Sequence, residues 1–61
     1  MKNKITVELN ADQAWAFAEF LKRVSREDFE RRAVDRNEAD LMWEAGICLR
    51  EALGEQGFAP R

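Results

Sequence analysis

Sixty-one residues with a formal charge of −2, one cysteine and no histidine suffice for one domain, and at this length folding hides only about 60% of the surface the unfolded chain exposes. A single Cys48 cannot form an internal disulfide, and without histidine or a second thiol there is no zinc or iron ligand set, so neither metal nor cofactor is expected. Of the devices that rescue very small domains, self-association is the one left, while the slightly acidic balance argues against nucleic-acid binding driven by bulk charge.

Met1-Lys2-Asn3-Lys4 leads into an alternating segment instead of an apolar run, so no signal peptide and no membrane span are expected and the location read from the sequence is cytoplasmic. Lys4-Ile5-Thr6-Val7-Glu8-Leu9 alternates polar and apolar residues with β-branched side chains at Ile5, Thr6 and Val7, the pattern of a half-buried strand with Ile5, Val7 and Leu9 inward. Asn10-Ala11-Asp12-Gln13 has the chemistry of a capping box, which starts a helix at about Ala11 and runs it to near Val24. Its core stripe is Ala14, Phe17, Leu21 and Val24, widened by Ala18 and Phe20. Ser25-Arg26-Glu27-Asp28 caps a short helix through Phe29 and Ala33. Asp35-Arg36-Asn37-Glu38 opens the longest helix, Arg36 to about Gln56, with a stripe at Ala39, Met42, Gly46, Leu49 and Leu53 broadened by Leu41, Ala45, Cys48 and Ala52. Gly57 suits the left-handed position after that helix, and Pro60 prevents its continuation.

The expected fold is mostly α: one short N-terminal β-strand, a helix, a short helix and a long C-terminal helix, all in a single domain spanning residues 1–61. A lone strand has unpaired edges and no second segment with period-two patterning, so its partner is expected from another chain, in a twofold homodimer whose residues 3–9 form an antiparallel ribbon. The bland alternative is a frayed terminal arm.

Trp15 projects among Asp12, Glu19 and Lys22, away from its helix's apolar stripe. Trp43 and Ile47 project beside Asp40, Glu44 and Glu51, off the stripe of the long helix. Tryptophan is the residue most enriched in binding hot spots, so Trp15, Trp43 and Ile47, with the acidic Asp40, Glu44 and Glu51, are the candidate partner-binding residues. The competing reading puts both indoles into the dimer interface or a wide core. The run Arg26 to Arg32 pairs opposite charges four apart and reads as a solvated face, with Arg31, Arg32 and Arg36 as a weaker docking candidate. No histidine base, glycine-rich phosphate loop or activated thiol is present, so an enzyme is not expected.

Two resemblances bear on function. Strand followed by two helices resembles, in topology, the ribbon-helix-helix repressors, which implies a ribbon in the DNA major groove with Lys2, Lys4 and Thr6 outward. Glu27 and Asp28 depart from that pattern, since they occupy the first turn where those repressors contact phosphate. Ile5-Thr6-Val7-Glu8-Leu9, Ala14-Trp15, Phe20-Leu21-Lys22-Arg23, Glu38-Ala39 with Met42, Arg50-Glu51-Ala52-Leu53 and Gly57-Phe58-Ala59-Pro60-Arg61 together resemble a group of small uncharacterised bacteriophage and prophage proteins. That resemblance implies genome context, not activity, although small phage proteins of this kind often act by binding and blocking or redirecting a host protein, anti-CRISPR proteins being one example. Taken with the unpaired strand, the expected function is a non-enzymatic, homodimeric module acting on a host protein in the bacterial cytoplasm. The alternative is a DNA-binding transcriptional regulator that reads through the strand.

Overall fold

The computed structural model describes residues 2–61, and among them the regular structure is entirely helical: α1 (Ala11–Arg23), α2 (Arg26–Arg32) and α3 (Arg36–Glu55). All three helices begin on side-chain caps. The Asn10 side-chain oxygen accepts from the Gln13 backbone N–H at 2.8 Å while Gln13 Oε1 accepts from the Asn10 N–H at 3.0 Å, a reciprocal capping box. Ser25 and Asp28 make the same exchange at the start of α2. At α3, Asp35 Oδ1 accepts from the Glu38 N–H at 2.8 Å, but Glu38 reaches one residue further back and accepts from the Val34 N–H at 3.2 Å.

The end of α3 is fixed just as locally. The Phe58 N–H donates to the Leu53 carbonyl at 2.9 Å and the Gly57 N–H to the Gly54 carbonyl at 3.0 Å, with Gly57 at φ +93°. That is the Schellman pattern expected from Gly57, and it turns the C-terminal residues back toward α1.

The expected N-terminal strand is absent among the described residues, which corrects the mostly-α-with-one-strand reading. Residues 2–10 form no regular structure and are exposed throughout, with Ile5 82%, Val7 67% and Leu9 48% accessible. Period-two alternation gives a segment two different faces, but a strand exists only as part of a ladder, and the helices have already used their own backbone groups.

Both α1 and α2 pack on α3. The side chains buried there are small: Ala14, Ala18 and Leu21 from α1 and Ala39 from α3. The expected stripes hold in part, since all four buried residues belong to them, but some of their members are not covered. Phe17 and Phe20, assigned to the core of α1, stack on each other at 5.4 Å between ring centroids and remain largely exposed. On α3, Leu49 turns outward and Trp43 takes a half-buried place. Small residues allow close helix approach, so the alanine faces, not the phenylalanines, set how α1 meets α3.

The result is a flat molecule of 33 × 28 × 15 Å, with a radius of gyration of 12.4 Å where a compact chain of this length would have about 10.5 Å. No helix of the described residues is long and apolar enough to cross a membrane.

Two glycines predict opposite responses. A Cβ on Gly46 would lie 3.5 Å from Phe29 Cζ and 3.9 Å from Leu21 Cδ2, ordinary contact distances, so Gly46→Ala should gain about 1 kcal/mol of helix propensity without a clash. Gly57→Ala meets open space but must adopt the left-handed backbone, so it should lose about 1 kcal/mol. Thermal or urea unfolding of the two variants should move in opposite directions. Destabilisation by Gly46→Ala would show that α2 and α3 lie closer than described.

Candidate partner-binding surface

Trp43 is not stranded. Its indole meets Phe29 of α2 edge to face, with ring centroids 6.0 Å apart at 79°, and the Arg26 guanidinium carbon lies 6.0 Å from the indole centroid. Arg26 also pairs with Asp40, one turn before Trp43, and approaches Glu30 on its own helix at 3.8 Å. A half-buried arginine thus ties the start of α2 to α3 through a carboxylate and an aromatic face. Nε of Arg26 is buried and makes no hydrogen bond, so the ion pair and indole contact carry its positioning.

Trp15 is 44% exposed and meets the Phe58 ring edge to face at 5.3 Å and 78°. Phe58 sits there because the Schellman turn aims it back along α1. Beside it, Phe58 and Pro60 form an open groove of about 410 Å³ with Ile47, Arg50 and Glu51 of α3. At Ile47 and Arg50 this groove adjoins a cleft of about 80 Å³ between α1, α2 and α3, floored by Leu21, Phe29, Trp43 and Gly46. Ile47 is 44% exposed and stands where the two meet. The cleft is far below the roughly 300 Å³ at which small-molecule sites begin; the larger groove is a half-open trough on the surface.

The structure therefore separates the expected partner-binding residues. Ile47 and Glu51 line one apolar trough with Phe58, which Trp15 touches from outside that lining. Trp43 floors the adjoining cleft and Asp40 is engaged by Arg26, so both serve α2–α3 packing first. Glu44 is exposed outside the trough lining. Arg50, the one basic side chain in that trough, and Phe58 with Pro60 were missed as site residues; the Gly57 turn was the available signal, since it fixes where the tail returns. Lys2, Lys4 and Thr6, the candidate DNA contacts, lie in the exposed arm without the ribbon that would present them.

Along α2, Arg31 lies 3.6 Å from Glu27 and 3.8 Å from Asp28. The expected partnering of Asp28 with Arg32 is replaced by the i,i+3 pair. Among the described residues no group of three His, Cys, Asp or Glu side chains could hold a metal ion, and Cys48 is an exposed free thiol.

The whole chain, residues 1–61, matches a family of unknown function (DUF7706). The chain belongs to that family. No curated protein and no solved structure matches it. Membership assigns no activity.

Two predictions follow from these contacts. Trp43→Ala should cost about 2 to 3 kcal/mol of stability, because it removes the Phe29 contact and the surface under Arg26, whereas Trp15→Ala should cost about 1 kcal/mol. Chemical denaturation of both variants checks the order, and a reversed order would mean that Trp15 is the structural indole. Asp28 is held below the ordinary carboxylate value by hydrogen bonds from the Ser25 N–H and hydroxyl, helped by the charges of Arg31 and Arg32. A lowered folded value means its contribution is complete above about pH 4 and is lost as the pH falls through that lower value. Acid titration of helicity should show this loss in the parent chain and not in Asp28→Asn.

Proposed function

We propose that the chain is a non-enzymatic protein-interaction module that self-associates in the bacterial cytoplasm and covers a surface of another protein, in the manner of small phage or prophage proteins that block or redirect a host protein. The observation carrying this reading is the amount of surface left over. The chain exposes 5516 Å², whereas a folded monomer of 7.1 kDa exposes about 4,100 Å². The excess of about 1,400 Å² exceeds the roughly 800 Å² that each partner contributes to a standard protein interface. It includes aromatic and aliphatic side chains that a solitary soluble domain would cover.

The trough lined by Ile47, Phe58 and Pro60, with Trp15 against the Phe58 ring, is the surface we assign to the other protein, because it combines an aromatic edge with one cation, Arg50, and one carboxylate, Glu51, at its rim. The absence of histidine from the sequence supports a binding role over acid–base chemistry.

Affinity capture from bacterial lysate with the parent chain and with Ile47→Asp tests the assignment. Ile47 is exposed, so the variant should keep its helicity while a partner recovered in stoichiometric amount with the parent is lost. Equal recovery with both would reject the trough as the binding surface. Binding to DNA that falls steeply with salt and depends on Lys4 would instead favour a regulator.

A further inference from the structure

α3 carries a second apolar face that none of its own chain covers. Leu41, Ala45, Cys48, Leu49 and Ala52 recur at three- and four-residue steps and are all exposed, with Leu41 56% and Leu49 49% accessible. On a helical projection this face lies roughly opposite Ala39 and Gly46, which meet α1 and α2. One border of it is acidic, with Glu44, Glu51 and Glu55 on the same side, exposed and in no ion pair among the described residues. α3 also differs from its neighbours at its C-terminal end: α1 closes with Lys22 and Arg23 and α2 with Arg31 and Arg32, but the last turn of α3 has no basic residue. Its negative dipole end is left without a cation.

The N-terminal arm has the complementary chemistry. It presents exposed Ile5, Val7 and Leu9 on alternate positions and carries Lys2 and Lys4 at its far end. We propose that two copies of the chain exchange these arms, each lying along the outer face of the other copy's α3 and antiparallel to it. Leu9 then falls near Leu41, Val7 near Ala45 and Cys48, Ile5 near Ala52, and the lysines reach Glu51, Glu55 and the uncapped charge of the helix end. Lengths agree. From Ile5 to Leu9 an extended chain spans about 13 Å at 3.3 Å per residue, and Leu41 to Ala52 rises about 16 Å at 1.5 Å per residue.

A second copy is favoured over a foreign peptide because it closes both unmatched surfaces at once, by reciprocal use of one contact. The excess surface of two chains, about 2,800 Å², is also in the range of obligate dimer interfaces. A pairing of two α3 faces directly would set the acidic borders against each other, which the arm avoids. No strand ladder is involved. The proposal rests on the reading of the chain as a self-associating binding module, and fails separately from the trough, with which it shares Glu51 but not Ile47 or Phe58.

Sedimentation of the whole chain and of Ile5→Ser/Val7→Ser tests the contact. The replaced side chains are exposed in the single chain, so helicity should persist while the dimer dissociation constant rises by at least about tenfold. Lys4→Glu should weaken the dimer as well, and added salt should narrow its difference from the parent. Under mild oxidation, Val7→Cys should form a disulfide-linked dimer with native Cys48, and Glu8→Cys, on the opposite side of the arm, should do so much less. A monomeric parent chain, a dimer indifferent to Ile5→Ser/Val7→Ser, or a Val7→Cys disulfide formed within one chain would each overturn arm exchange. Capture of another protein through Ile47 in the monomeric case would leave the binding reading standing.

Discussion

A core built mostly of alanines governs the rest of this structure. Ala14 and Ala18 of α1 and Ala39 of α3 are buried, and Gly46 leaves room for Phe29 and Leu21. Small side chains let the helices come near and order them well, but they remove little apolar area from water, and apolar area is the main favourable quantity in folding. The large side chains consequently lie at the edges of the contact. Phe17 and Phe20 stack outside it, Trp15 leans on the returning tail, and Leu41 and Leu49 face away. A slab 15 Å thick has little interior in which to place them, given helices 10–12 Å across.

This distribution links packing to function. A chain whose bulky residues sit on its edges leaves its surroundings to complete its apolar contacts, and an interaction partner gains affinity from the same side chains that the fold leaves uncovered. The Arg26, Asp40 and Trp43 cluster has a different part. It fastens α2 across α3 and supports the cleft beside the trough, so the exposed Ile47 stands on a supported surface. α2, with no buried residue of its own, depends on that fastening and on its Ser25–Asp28 cap.

What was legible in the sequence was what is decided locally. Asn10 with Gln13, Ser25 with Asp28, Asp35 with Glu38 and Gly57 with Phe58 each fix a helix end through bonds spanning three to five residues, and the three helices lie where those signals put them. The strand was misread because alternation at Ile5, Val7 and Leu9 describes a capacity; realising it requires a second edge that no local pattern supplies. The apolar stripes were legible in part: Ala14, Ala18, Leu21 and Ala39 are buried as expected, but both long helices have apolar residues over a wide arc, and whether Phe17 or Ala18, Leu49 or Trp43, is covered is decided by the neighbour. Arg26 with Asp40, fourteen positions apart, left no spacing signal for the same reason. Trp43 consequently looked like a surface indole, although α2 folds over it.

The central claim is that this chain reaches its full stability only when another polypeptide covers what it leaves exposed. The most direct measurement is the thermal unfolding midpoint of the purified chain across protein concentrations from about 1 μM to about 100 μM, since coupling of folding to association makes that midpoint depend on concentration. The account predicts a midpoint that climbs steadily over this range. A midpoint that stays constant, in a chain that unfolds cooperatively as a monomer, would contradict it.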